Sequence, residues 1–113
     1  MSGKQAERWA ADFLQQQGLT LLTQNYRSRF GEIDLIMQDE DALVFVEVRQ
    51  RSSCDFGGAA ASIDQYKQKR LIQTAQCYLA THFTPQPCRF DAVLMDNESG
   101  LNVQWLKNAF DAG

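Results

Sequence analysis

Asp34 and Glu47 are the residues whose types and spacing could do chemistry. Both lie in one stretch, residues 30–51, which reads F-G-E-I-D-L-I-M-Q-D-E-D-A-L-V-F-V-E-V-R-Q-R. Ile33, Leu35 and Met37 alternate with Glu32, Asp34 and Ile36; Val44, Val46 and Val48 alternate with Phe45, Glu47 and Arg49. A period of two in both runs, with β-branched residues in the second, predicts two strands. Residues 38–41 are polar and suit the turn between them. With a loop over residues 39–42, Gln38 pairs with Leu43, Ile36 with Phe45 and Asp34 with Glu47. Paired residues point to one face, so Asp34, Glu47 and Arg49 share a surface. A slip of one residue would take the three valines off the core face.

Two carboxylates about 5 Å apart repel by roughly 3 kcal/mol at an effective dielectric near 20. A divalent cation, the neighbouring Arg49, or exposure to water would each offset that cost. Oxygen-only ligands are what Mg²⁺ or Mn²⁺ prefers. Such a site can bind a phosphodiester oxygen and lower the pKa of a metal-bound water. A cation beside it would stabilise the charge that develops on phosphorus. The plainer reading of the same residues is an acidic, wet surface. Other chemistries find less support. There is no P-loop, no dinucleotide glycine fingerprint and no G-x-S-x-G. The single histidine, His82, falls at a helix end, and Cys54 has no matched histidine.

The elements that must position these residues can be read along the chain. Residues 2–17 form a helix, with Ala6, Trp9, Ala10, Phe13 and Leu14 in one apolar stripe and Gly18 as its stop. Glu7 lies at the edge of that stripe, where a carboxylate can reach over the sheet or serve as a boundary charge. Residues 19–26 form a strand, and residues 27–31 a basic connector into the hairpin. Residues 52–61 form a loop able to order on substrate. Residues 62–82 form the second helix, opened by the S-x-x-Q capping box of Ser62 and Gln65. Its buried stripe is Ile63, Tyr66, Leu71, Ala75, Tyr78 and Leu79. Lys67 shares that inward face and needs a carboxylate, an anion or a path to water, while Lys69 is turned to solvent. Strands follow over residues 89–96 and 101–106, joined by a turn over 97–100. The order αβββαββ predicts an α/β fold, a mixed sheet with helices packed on it.

At 113 residues the chain is expected to be one domain spanning 1–113, long enough for its own core. With 44% hydrophobic and 22% charged residues it has the balance of a globular protein. No secretory signal and no membrane span is read. The three cysteines, Cys54, Cys77 and Cys88, make neither a disulfide framework nor a zinc pattern, which points to the cytoplasm. A net charge of −3 argues against non-specific coating of nucleic acid. Yet Arg27, Arg29, Arg49, Arg51, Lys67, Lys69 and Arg70 are 7 of the 11 basic residues and crowd one central segment. They form either a local basic face or ordinary solvated charge.

The pattern G-E-I-D-L-I (31–36), F-V-E-V-K/R-x-R (45–51), K-x-x-R-L with A-x-x-Y-L (67–71 and 75–79), R-F-D (89–91) and N-A-F (108–110) resembles the YraN family of small bacterial proteins. The helix-1 run A-E-x-x-A at 6–10 fits as well, so the resemblance covers nearly the whole chain. That family is similar to the PD-(D/E)XK nucleases, above all to archaeal Holliday-junction resolvases. The resemblance implies a restriction-endonuclease-like fold and a metal-dependent endonuclease hydrolysing phosphodiesters in branched or structured DNA. It implies Asp34 and Glu47 as ligands of Mg²⁺ or Mn²⁺, assisted by Glu7. Arg49 stands where the motif has lysine. Arginine holds phosphate and stabilises charge but is a poor proton shuttle. Either Lys67 takes over the lysine role, or Arg49 marks a protein that binds nucleic acid without cutting it. Arg27, Arg29, Arg51, Lys69 and Arg70 would contact DNA, and symmetric cuts on a junction imply a homodimer. A third reading is an interaction module that pairs through a sheet edge.

Overall fold

The structure, a computed structural model, describes residues 2–51, 63–82, 85–96 and 103–111. The expected 52–61 loop, the 97–100 turn, Ser62 and Leu101 lie outside the described residues, as does the side chain of Arg51.

Helix α1 (Gly3–Gln16) begins at a capping box: Ser2 Oγ accepts Gln5 N–H at 3.1 Å and Gln5 Oε1 accepts Ser2 N–H at 2.8 Å. Just past its end Gly18 takes φ 101°, a left-handed conformation that favours glycine. Strands β1 (Thr20–Ser28), β2 (Gly31–Asp39) and β3 (Ala42–Arg51) form an antiparallel meander. The β2–β3 turn is Glu40 and Asp41, and Gln38 pairs with Leu43 and Ile36 with Phe45, as expected. Helix α2 (Gln65–Thr81) then carries the chain to β4 (Cys88–Asp96), which lies parallel to β3. A parallel neighbour requires such a crossover. Antiparallel β5 (Val103–Phe110) closes a sheet of order β1-β2-β3-β4-β5.

The architecture is therefore an α/β/α sandwich of restriction-endonuclease-like topology, with one helix on each face of a mixed sheet. On one face Ala6, Ala10, Ala11 and Leu14 of α1 pack against Leu35, Met37, Val44, Val46, Val93 and Met95. On the other, Leu71, Ala75 and Tyr78 of α2 pack against Ile33, Ile36, Phe45, Phe90, Ala92 and Leu94. Both faces of β3 are thus core: Val44, Val46 and Val48 share the α1 side, as expected, while Leu43 and Phe45 fill the α2 side.

Four details differ from the sequence expectation. Ile33 joins the α2 face while Leu35 and Met37 join the α1 face, so the alternation of β2 slips at Asp34. Helix α2 is capped by Asp64, whose Oδ1 accepts Lys67 N–H at 2.7 Å, two residues inside the expected cap at Ser62. Tyr66 is 69% exposed rather than buried. It precedes Leu71 by five residues, which is about 140° around the helix. β5 runs on to Phe110, whose ring stacks on Phe90 at 4.8 Å, so the N-A-F motif is strand. Among the described residues no helix is long and apolar enough to cross a membrane.

Candidate active site where two strands diverge

The β2–β3 ladder ends at Leu35↔Val46, although β2 continues paired to β1 as far as Gly31. Past that point β3 leaves β2 and keeps only β4 as its partner. The Val48 N–H, which a longer ladder would have satisfied, is taken by the Asp34 carboxylate at 2.8 Å. The register expected from the sequence would have carried the ladder on to Asp34 and Glu47. Instead Asp34 fills the gap between the strands and its side chain does the backbone's work.

This places Asp34 beside Glu47, which is only 6% exposed. Burial pushes the Asp34 carboxyl up to about 8. Repulsion from Glu47, and a hydrogen bond the two share, act in the same direction. Val48 N–H opposes the rise, and Glu7 adds a smaller push. The cations expected near the acids are present, and both address Glu47. Lys67 Nζ lies 3.5 Å and Arg49 Nε 3.4 Å from the same Oε2. Lys67 thus faces inward from α2 and finds the carboxylate it needs. The partly buried pair is short of positive charge on the Asp34 side.

Glu7 approaches from α1 on the far face. Its Oε1 accepts Asn25 Nδ2–H at 2.7 Å. Asn25 lies on β1 opposite Asp34, between the Gln24↔Leu35 and Tyr26↔Ile33 pairs, at φ 52°. Asparagine tolerates this left-handed conformation better than most residues. Nothing in the periodicity singles out Asn25, although an asparagine inside a strand pattern is a signal worth following. Among the described residues no three acids, histidines or cysteines converge as a ready metal cage. Glu7 acts on Asp34 through its field and is held by Asn25.

The basic residues divide between the two faces. Arg27 is paired with Glu32 at 2.8 Å and, with Lys4, Glu7 and Asn25, lines a hollow beside the start of α1. Arg70 lies on α2, close to Gly31, where a Cβ would sit 3.8 Å from the arginine side chain. Arg29 stacks its guanidinium on Phe30 at 4.8 Å in the adjacent β1–β2 turn. Lys69 is exposed.

A buried acid that the sequence reading passed over lies on β4. Asp91 is 1% exposed and accepts hydrogen bonds from Arg89, from Trp105 Nε1 and from the Asn108 backbone. It is fully engaged in tying β4 to the irregular end of β5.

Comparison with known proteins gives one consistent result. The profile of the uncharacterised protein family UPF0102 matches residues 6–95. A UPF0102 protein of Nitrosomonas europaea is 62% identical over 109 residues, covering 96% of this chain and 92% of the relative. One from Nitrosomonas eutropha is 57% identical over 98% of this chain and 94% of its own length. Another, from Psychromonas ingrahamii, is 53% identical over 96% and 88%.

Proposed function

This chain belongs to the UPF0102 family, that is YraN, and from that premise we propose that it is a metal-dependent endonuclease acting on branched or otherwise structured DNA. Family and fold together make it a member of the PD-(D/E)XK-like nuclease superfamily. The observation that carries the activity is the Asp34–Glu47 pair. Two carboxyls share the opening between β2 and β3, both cations are on Glu47, and Asp34 is pushed up to about 8. A donor set of carboxylate oxygens that lacks positive charge on one side fits Mg²⁺ or Mn²⁺.

In this reading Asp34 and Glu47 hold the ion, and Glu7, oriented by Asn25, adds negative charge on the α1 side. Held there, the ion would supply Lewis acidity, lowering the pKa of a water and drawing charge from the phosphodiester. Lys67 brings its ammonium to Glu47 from α2, where it can orient the attacking water and stabilise charge on phosphorus. Arg49 brings a planar donor fork suited to a phosphate oxygen. Arg29, Lys69 and Arg70 extend the contact along the DNA backbone, with Arg27 on the opposite side. A cytoplasmic location and a two-fold dimer that cuts both strands of a junction complete the proposal.

The test is cleavage of a four-way junction and of a flapped duplex in Mn²⁺ or Mg²⁺. Asp34→Ala should fall to background with its circular dichroism unchanged, and Lys67→Ala should lose roughly 10²–10³-fold. Cleavage by Asp34→Ala at the wild-type rate sinks the assignment. One observation favours a second reading, a binding protein that does not cut. Arg49 and Lys67 both lie within ion-pair distance of Glu47 and offset its charge from within the chain. In that case binding to the junction persists in EDTA and no divalent ion yields product.

A further inference from the structure

We infer that Tyr66 and Arg70 form a stacking platform for an unpaired nucleobase, so that the substrate carries a single-stranded nucleotide next to its duplex. This rests on the nucleic-acid reading of the Asp34–Glu47 site and names the feature of the DNA that the site selects.

Among the described residues only two large hydrophobic side chains are exposed, Leu22 at 46% and Tyr66 at 69%. Leu22 lies at a bulge of the edge strand β1, while Tyr66 directly precedes Lys67, whose ammonium touches Glu47. The Tyr66 ring is held in place. Its hydroxyl accepts a hydrogen bond from Arg70 Nη1 at 2.9 Å, and the Arg70 guanidinium carbon is 5.5 Å from the ring centroid. Holding the ring beforehand lowers the entropy lost when something stacks on it.

The neighbouring β1–β2 turn repeats the combination. Arg29 lies on the Phe30 ring at 4.8 Å, and Gly31 packs against Arg70. The two elements are joined by the Ser28 Oγ to Thr74 Oγ1 hydrogen bond of 2.9 Å, and Ser28 Oγ also takes the Phe30 N–H at 3.0 Å. Two arginine-on-aromatic pairs therefore lie on adjoining elements, one next in sequence to Lys67, whose ammonium is 3.5 Å from Glu47, and the other in the turn that opens the Asp34 strand. Cationic groups next to an exposed aromatic face are the chemistry that binds single strands: the base stacks and the phosphate meets the guanidinium. A continuous duplex keeps its bases stacked inside and offers this surface only phosphates, which arginine alone would satisfy. The ring is useful only if a base is free.

The experiment measures binding by fluorescence anisotropy, in EDTA and again with Ca²⁺ present, with a blunt duplex and the same duplex carrying a single-stranded tail. Wild type should prefer the tailed probe by about tenfold. Tyr66→Ala should abolish that preference and leave blunt-duplex affinity unchanged, Tyr66→Trp should keep it, and Arg70→Gln should weaken both probes. Equal wild-type affinity for the two probes, binding to neither, or a preference that survives Tyr66→Ala overturns the inference. Cleavage separates it from the reading it rests on. A tail preference lost in Tyr66→Ala with no cleavage in any divalent ion leaves the platform standing without the nuclease. Metal-dependent cleavage with a preference that survives Tyr66→Ala does the reverse.

Discussion

The sheet carries two aspartates on the strands either side of β3, Asp91 buried and Asp34 partly buried, and they are treated in opposite ways. Asp91 on β4 receives Arg89 Nε on both oxygens at 3.0 and 3.2 Å, Trp105 Nε1 at 3.0 Å and the Asn108 N–H at 3.1 Å. Arg89 is in turn fixed by Asp39 at 2.8 Å. Asp34 on β2 receives the Val48 N–H and otherwise faces Glu47, another acid, while the nearby cations sit on Glu47. A buried carboxylate with its donors in place holds a fold together. One set against its own kind costs stability and waits for a ligand. The difference separates a structural acid from a candidate functional one within a single sheet.

The largest expected effect tests the structural half of that comparison. Asp91→Ala would leave the Trp105 indole N–H and the Asn108 N–H without their acceptor and Arg89 with Asp39 as its remaining partner. Removing one member of a buried charged network costs about 3–5 kcal/mol. That is a large share of the total stability of a small domain. Urea unfolding should show it, and a loss below about 1 kcal/mol would break the comparison at this end.

Asp34→Asn should move stability the other way. The amide oxygen can keep accepting the Val48 N–H while the amide nitrogen donates to Glu47. In wild type the Asp34 carboxyl titrates near 8 when folded and near the ordinary aspartate value of about 3.9 when unfolded. Between those two values the native state binds more protons, so wild-type stability falls as pH rises from about 4 to about 8. The variant lacks that loss. Its advantage should be small near pH 4 and reach on the order of a few kcal/mol by pH 8. Melting curves across that range decide it. A variant less stable than wild type at pH 8 would mean that Asp34 is as structural as Asp91.

Much of this was legible in the sequence because it rests on local rules. The hairpin register followed from two period-2 runs and a polar turn as far as Leu35↔Val46, and it set Asp34 and Glu47 just beyond that pair, where the strands part. The inward Lys67 followed from helical spacing alone. What was missed depends on contacts distant in sequence. The slip of β2 at Asp34 comes with a left-handed Asn25 on the neighbouring strand, which no apolar periodicity records. Asp91 reads as an ordinary charge in R-F-D until β5 brings Trp105 and Asn108 to it. Tyr66 reads as core because it is aromatic and near the stripe, whereas its rotation about α2 puts it in solvent. The expected basic face also divides, since α1 and α2 lie on opposite sides of the sheet.

The smallest effect sharpens the functional half. If Asp34 is held protonated because positive charge is missing, a divalent cation should supply that charge and displace the proton. Below pH 8 each Mn²⁺ bound should release about one proton, and release should fade as Asp34 ionises unaided above that value. Affinity should then tighten with rising pH up to about 8 and level off. Calorimetry in two buffers of different ionisation heat counts the proton directly. At a free ion concentration of about ten times Kd the stabilisation is only about 1.4 kcal/mol, so a melting shift would be modest while the proton count is not. Asp34→Asn should bind more weakly and release none. Mn²⁺ binding with no proton release from wild type at pH 6 would show that the ion does not address Asp34. The contrast with Asp91 would then describe two structural acids, one better satisfied than the other.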